Sequence, residues 1–155
     1  MVGTEDHAGW DAICEVLPKS AVKVFKVSSS QLNPKAITKL ASILATAGLV
    51  RVDISGNSIG SDGGKALISV LPSSSIKSLK IGRSFEISTE KYEESVVDCS
   101  KQDFGPGEVI VLSWWLSTEV TAGVGTVDLS NNRFDPSLLD GIKHKVKLDV
   151  TGCRA

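Results

Sequence analysis

Apolar residues recur along the chain at relative positions 0, 3, 5 and 10, with a small polar residue at position 8. The clearest copies start at Leu49, Val22 and Val124, and a partial copy starts at Ile76. The starts at residues 22, 49 and 76 lie 27 residues apart. A fixed period of this length indicates one supersecondary unit that stacks on itself. Stacked arrays more often provide binding surfaces than catalytic clefts.

Each unit has the pattern of a strand, a turn and a helix. Apolar residues at positions 3 and 5 alternate with polar neighbours, which is typical of a half-buried strand. The pattern predicts six strands, centred on residues 24–27, 51–54, 78–81, 96–99, 126–129 and 147–150. A carboxamide both donates and accepts hydrogen bonds. We therefore expect Asn57 and Asn132, which follow two of these strands, to bind backbone groups of neighbouring units.

These residues resemble the leucine-rich repeat, whose pattern is LxxLxLxxN/CxL. The order of strand, turn and helix is similar to the ribonuclease-inhibitor-like type of that family. The resemblance implies an α/β fold: a right-handed leucine-rich repeat solenoid with parallel strands on the concave face and helices on the convex face. It also implies that six inward strand residues are buried, namely Val52, Ile54, Val127, Leu129, Leu148 and Val150. Three aspartates are expected to be exposed on the concave side: Asp53, Asp128 and Asp149.

We predict a single leucine-rich repeat domain over residues 1–155, with an N-terminal helix at 1–21, repeats at 22–81 and 95–155, and an insertion at 82–94. Within the insertion, Phe85-Glu86-Ile87 alternates and predicts a short hairpin with the preceding strand. The insertion has two interpretations. It is a tolerated surface segment, since insertions cost little closure entropy, or it reaches over the concave face and contacts a partner.

The candidate partner-binding residues lie on two surfaces. On the strands, residues that point away from the predicted core are Lys26, Arg51, Asp53, Lys80, Asp98, Asp128 and Asp149; the aspartates also fit the ordinary consensus of such repeats. On the helix after residue 105, Ile110, Val111 and Trp114 occupy positions that are polar in the earlier helix. A helix that is apolar all round is normally buried on both sides. Either the insertion or another chain is expected to cover it.

Composition narrows the function classes. The chain has 155 residues and a net charge of -1, which gives no general field for nucleic acid. No stretch is long and apolar enough to span a membrane, and the N-terminus lacks an apolar signal core, so we predict a cytoplasmic protein. Three cysteines at these spacings predict reduced structural thiols. No spacing of cysteines or of His7 and His144 indicates a catalytic group, a metal site or a cofactor.

The sequence therefore favours a non-catalytic protein–protein interaction module, a binding scaffold that holds a protein partner and neither nucleic acid nor membrane. One alternative is a structural self-assembling unit or a fragment of a longer repeat array. In that setting the apolar helix would pair in a homodimer. A second alternative, an enzyme or a nucleotide-binding protein, lacks a constellation of suitable residues, because the glycine-rich run near Gly60 is not a phosphate-binding loop of the GxxxxGK[ST] type.

Overall fold

The computed structural model describes residues 8–154. Four α-helices span α1 (Ala8–Val16), α2 (Pro34–Leu44), α3 (Gly60–Val70) and α4 (Pro106–Leu116). Seven strands span β1 (Val24–Lys26), β2 (Arg51–Asp53), β3 (Ser78–Lys80), β4 (Glu86–Ser88), β5 (Val96–Asp98), β6 (Thr126–Asp128) and β7 (Lys147–Asp149). Short 3-10 segments follow four of the elements, at Leu17–Lys19, Leu71–Ser73, Glu119–Thr121 and Pro136–Leu139. All six predicted strand positions carry strands, and β4 is the seventh.

The predicted right-handed solenoid, with its parallel strands on one concave face, is wrong. The strands form two separate sheets, one of four strands in the order β1-β2-β3-β4 and one of three strands in the order β5-β6-β7. β4 runs antiparallel to β3, whereas the other pairs are parallel. The physical reason lies in the insertion at residues 82–94, because β4 takes the sheet edge that β5 would otherwise have joined.

The hairpin predicted for the insertion is confirmed. Leu79 pairs with Ile87 across β3 and β4, and Lys80 pairs with Glu86. Phe85 and Ile87 are buried, so the alternating residues of the insertion face the core. The segment after β4 then leads to β5 without regular structure.

The helices make a layer that crosses the gap between the two sheets. α1, α2, α3 and α4 pack side by side in chain order, and Pro136–Leu139 packs on the far side of α4. The central residues of the inner parallel strands, such as Val52 and Val127, are almost completely buried between strands and helices. Leu148 and Val150, which we expected to be buried, are only half-buried because β7 is an outer strand.

Asn57 and Asn132 hold successive turns together, as predicted. The Asn57 Oδ1 accepts hydrogen bonds from the amides of Ser30 and Leu32, one unit earlier, and its Nδ2 donates to the Val27 carbonyl. Asn132 repeats the arrangement in the second sheet. Its Oδ1 accepts from the amides of Gln102 and Phe104 at 3.1 and 2.9 Å, and its Nδ2 donates to the carbonyls of Cys99 and Leu129.

The contact between α3 and α4 depends on glycine. A Cβ added to Gly64 would lie 2.6 Å from the carbonyl oxygen of Gly107, and a Cβ added to Gly107 would collide with the carbonyl of Gly60. Both obstacles are backbone atoms that cannot rotate away. The two helices therefore approach each other where neither carries a side chain, and this contact joins the helix that follows β2 to the helix that follows β5.

We expect Gly64→Ala to destabilise the chain by about 1–3 kcal/mol, because the added methyl overpacks the junction between α3 and α4. Urea unfolding followed by circular dichroism measures the change. Gly9→Ala is the matched control: nothing lies within 4 Å of its added Cβ, so this change should be neutral or stabilise α1 by up to about 1 kcal/mol. Equal stability of the Gly64 variant and the wild type would contradict the close helix contact.

We expect Asn132→Leu to cost more free energy of unfolding than Asn57→Leu. Both changes leave buried amides and carbonyls without partners, at roughly 1–3 kcal/mol for each such group. Asn132 is the more deeply buried of the two, with 2% of its surface exposed, whereas Asn57 is half-buried. Water can therefore reach the backbone groups that lose their hydrogen bonds to Asn57 more easily than those that lose them to Asn132. Urea midpoints of the two variants give the comparison. An Asn132 variant with an unchanged midpoint would show that this side chain does not hold the turns.

Candidate functional site

The charged residues at the ends of β1, β2, β3 and β4 alternate in sign. The strand registers place Lys26 beside Asp53, Asp53 beside Lys80, and Lys80 beside Glu86. Arg51 is exposed on the same sheet, between Val24 and Ser78. This row is balanced in charge and provides no strong field of either sign.

The equivalent row of the second sheet is acidic. Asp98 lies beside Asp128, and Asp128 lies beside Asp149. Neighbouring strands are about 4.8 Å apart, so the three carboxylates stand close together on the surface. Asp98 and Asp149 are exposed and Asp128 is half-exposed.

Each of these aspartates is bound into the turn that follows its strand. The Oδ1 of Asp98 accepts hydrogen bonds from the amide and hydroxyl of Ser100, and Asp128 makes the same pair with Ser130. Hydrogen bonds from Ser100 and Thr151 hold the pKa values of Asp98 and Asp149, respectively, below the usual range of a carboxyl group. One carboxylate oxygen of each aspartate therefore serves the fold.

The three helix residues of the predicted site do not form one exposed patch. Val111 is completely buried, whereas Ile110 and Trp114 are half-buried. α4 is enclosed by α3 on one side and by Pro136–Leu139 on the other. The insertion also packs against α4. Of the two expected alternatives, cover by the insertion or by another chain, the first therefore holds for most of this helix.

An aromatic cluster joins the insertion to α4. The ring of Phe85 meets Trp115 edge to face at a centroid distance of 5.6 Å and meets Phe104 at 6.0 Å. Tyr92, further along the insertion, meets Trp115 at 5.4 Å. The Trp115 indole also donates a hydrogen bond of 2.9 Å to the carbonyl of Ser88, the last residue of β4. These contacts fix the insertion against the second half of the chain.

A groove of about 570 Å3 opens beside this cluster. One wall is the segment that follows α3, the second is β4 with Thr89, and the third is the end of α4 with the segment that follows it. We call it the Trp114 groove. Its apolar lining residues are Leu71, Pro72, Ile76, Ile87, Trp114, Trp115 and Val120. Ser75, Thr89 and Thr118 supply a polar rim.

A second crevice, of about 420 Å3, lies where α3 and α4 begin. Its lining includes Arg83, Arg133 and Glu108. Arg133 is paired with Asp103 at 2.9 Å, and both side chains are largely exposed. The Glu108 Oε1 accepts a hydrogen bond from the Gly105 amide at 3.3 Å, so this carboxyl caps its own helix. Burial raises the pKa of Glu108.

The remaining candidate chemistry is sparse. Within residues 8–154, no group of three His, Cys, Asp or Glu side chains is placed to hold a metal ion. The three cysteines are free thiols, and burial raises the pKa of Cys14 to about 11 and raises that of Cys99 further. His144 is exposed, and His7 lies outside the described residues. No helix in the described part of the chain is long and apolar enough to cross a membrane.

The structure thus separates the residues that the sequence grouped. The charged strand residues lie on two sheets, and the helix residues lie beside the insertion. The Trp114 groove was not predicted from the sequence, because it needs side chains from three segments distant in sequence. One signal was available: Phe85, Ile87 and Tyr92 are large apolar or aromatic residues within an otherwise polar insertion.

No protein-family model matches the chain, and no curated protein matches it.

We expect Glu108→Gln to raise the stability of the chain at pH 7 and to have little effect near pH 4. The folded state holds the Glu108 pKa above its unfolded value. The stability that this group contributes is present below the unfolded pKa of about 4.3 and is lost as pH rises through the folded pKa. Glutamine keeps the acceptor for the Gly105 amide and never ionises. Urea unfolding of both proteins from pH 4 to 7.5 measures the difference, and a gap that stays constant across this range would contradict the assignment.

Proposed function

We propose that this chain is a non-catalytic protein-interaction module that binds a protein partner through the Trp114 groove. The observation that carries the proposal is the groove itself, an apolar depression with a half-exposed tryptophan at its edge. Tryptophan is enriched among the residues that dominate binding energy at protein interfaces. The resemblance of the repeating unit to leucine-rich repeats, many of which bind proteins, favours the same class of function.

The floor and walls of the groove are held in place before any partner arrives. Trp115 is fixed by its hydrogen bond to Ser88 and by the rings of Phe85 and Tyr92. The Tyr92 amide donates to the carbonyl of Val120, which lines the opposite wall. A site that is already ordered loses less conformational entropy on binding. This rigidity supports recognition of a bulky apolar side chain presented by an extended or helical partner segment.

The rim suits a peptide more than a small apolar ligand. Ser75 and Thr89 contribute hydroxyl groups to the lining of the groove and Lys77 contributes an exposed ammonium, whereas the Thr118 hydroxyl already donates to the Trp115 carbonyl. Such groups can pair with the backbone on either side of an anchoring side chain, as in the polar rim of a protein interface. We place this interaction in a reducing compartment, the cytoplasm, because free cysteines such as the buried Cys14 and Cys99 are typical of it.

A peptide library displayed on phage and selected against the immobilised chain tests the proposal. We expect the selected peptides to share a bulky apolar residue. Thr89→Arg, at the rim, should weaken their binding at least tenfold, which corresponds to about 1.4 kcal/mol. Fluorescence polarisation with labelled peptides gives the Kd values.

Thr38→Arg is the matched control, since Thr38 is an exposed threonine on α2, outside the groove. It should leave the Kd unchanged. Trp114→Ala, checked for folding by its melting curve, should weaken binding at least as much as Thr89→Arg. Peptides that bind the wild type and both groove variants with equal Kd would refute the groove as the binding site.

A further inference from the structure

The first and last strands of the chain, β1 and β7, leave the same core position uncovered. The two sheets have four edge strands, β1, β4, β5 and β7. The central residues of β4 and β5, Ile87 and Val97, are buried. The central residue of β1 is Phe25 and that of β7 is Leu148, and both are only half-buried. β1 and β7 are therefore the edges at which this apolar position stays open.

The hydrogen-bonding groups of these two edges match each other. The backbone groups of Lys23 and Val27 form hydrogen bonds with β2. In a parallel strand, alternate residues bond to opposite sides, so the backbone N–H and C=O groups of Val24 and Lys26 point to the open side of β1. Lys147 and Asp149 bind β6, so Val146, Leu148 and Val150 turn theirs to the open side of β7. In each parallel pair of the structure, the earlier strand forms the inter-strand hydrogen bonds through three alternate residues and the later strand through two. On their open sides, β7 has three residues available for such bonds and β1 has two.

We propose that copies of this chain associate head to tail, with β7 of one copy pairing in parallel with β1 of the next. In the register of the existing pairs, Lys147 meets Val24 of the second copy, Leu148 meets Phe25, and Asp149 meets Lys26. The pairing places the two half-buried apolar residues together. It also gives Asp149 a positive neighbour, as Asp53 has in the first sheet.

Exposed apolar residues in the rest of the molecule are concentrated at these ends. Six large apolar side chains are exposed in the described residues: Ile13, Val16, Val22, Val24, Val96 and Leu138. Four of them lie on or next to α1 and β1, and Leu138 lies on the last helical segment, Pro136–Leu139. Successive helical segments pack side by side in chain order. Head-to-tail pairing therefore brings α1 of one copy towards the last helical segment of the other.

Charge favours this arrangement over a symmetric pair of like ends. The β7 end exposes Lys145 and Lys147, which would face their own copies across a two-fold axis, whereas Lys143 is paired with Asp140. The opposite end is mixed in sign, because α1 exposes Asp11 and Glu15 and the segment from α1 to the end of β1 exposes Lys19, Lys23 and Lys26. Contact between unlike ends therefore offers the lysines of the β7 end some acidic neighbours, which contact between two β7 ends would replace with lysines. Because such a contact does not close on itself, the product is a series of growing oligomers instead of a single dimer.

Sedimentation velocity over a dilution series tests the proposal, using the chain as it stands at low salt. We expect the average mass of the wild type to rise steadily with concentration. Lys26→Glu and Asp149→Lys should each weaken association at least tenfold, because each places like charges side by side. An equimolar mixture of the two variants should recover association, since each mutant end then meets an opposite charge on the other variant.

Lys35→Glu is the matched control, because it makes the same charge change at an exposed position on α2. It should associate like the wild type, and so should Thr89→Arg, whose site is the groove. Three results would overturn the proposal: a wild type that stays monomeric at every concentration, association that Lys26→Glu and Asp149→Lys leave unchanged, or a mixture that fails to recover it. Loss of peptide binding at the groove would leave this inference intact, since the two surfaces are separate.

Discussion

The architecture depends on the contact between β4 and α4, in which the Trp115 indole donates a hydrogen bond to the Ser88 carbonyl. Ser88 ends β4, the edge strand of the first sheet, and Trp115 belongs to α4 of the second half. An edge strand whose outer side meets a helix is not open to further strand pairing. β5 consequently starts a second sheet, although α4 continues the helix layer without a break.

The same junction explains why an interaction site forms at this place. The insertion supplies Phe85 and Tyr92, whose rings pack against Trp115, while α3 and Pro136–Leu139 enclose α4 on its other sides. The cover is incomplete at Trp114, and the groove is the space that remains. One irregular segment thus both divides the sheet and shapes the pocket.

The parts of the fold that follow from local pattern could be predicted from the sequence. Strand positions came from the alternation of apolar residues, the Asn132 contacts from the need to satisfy turn amides, and the hairpin from Phe85-Glu86-Ile87. The division into two sheets could not, because it depends on which side of β4 meets Trp115, a contact between residues 27 positions apart. Val111 shows the same limit: it is completely buried because other elements enclose α4, and the pattern of its own helix contains no information about those neighbours.

The row of charged strand residues is balanced in the first sheet and acidic in the second. Carboxylates on adjacent strands, Asp98 beside Asp128 and Asp128 beside Asp149, repel each other. The hydrogen bonds from Ser100 and Thr151 offset part of this cost, because they stabilise the charged forms of Asp98 and Asp149. In the first sheet Lys26 and Lys80 stand on either side of Asp53, and no such repulsion arises. Asp98 on β5 and Asp149 on β7 both lie on edge strands of the second sheet, so each has an open side on which a cation would relieve the repulsion.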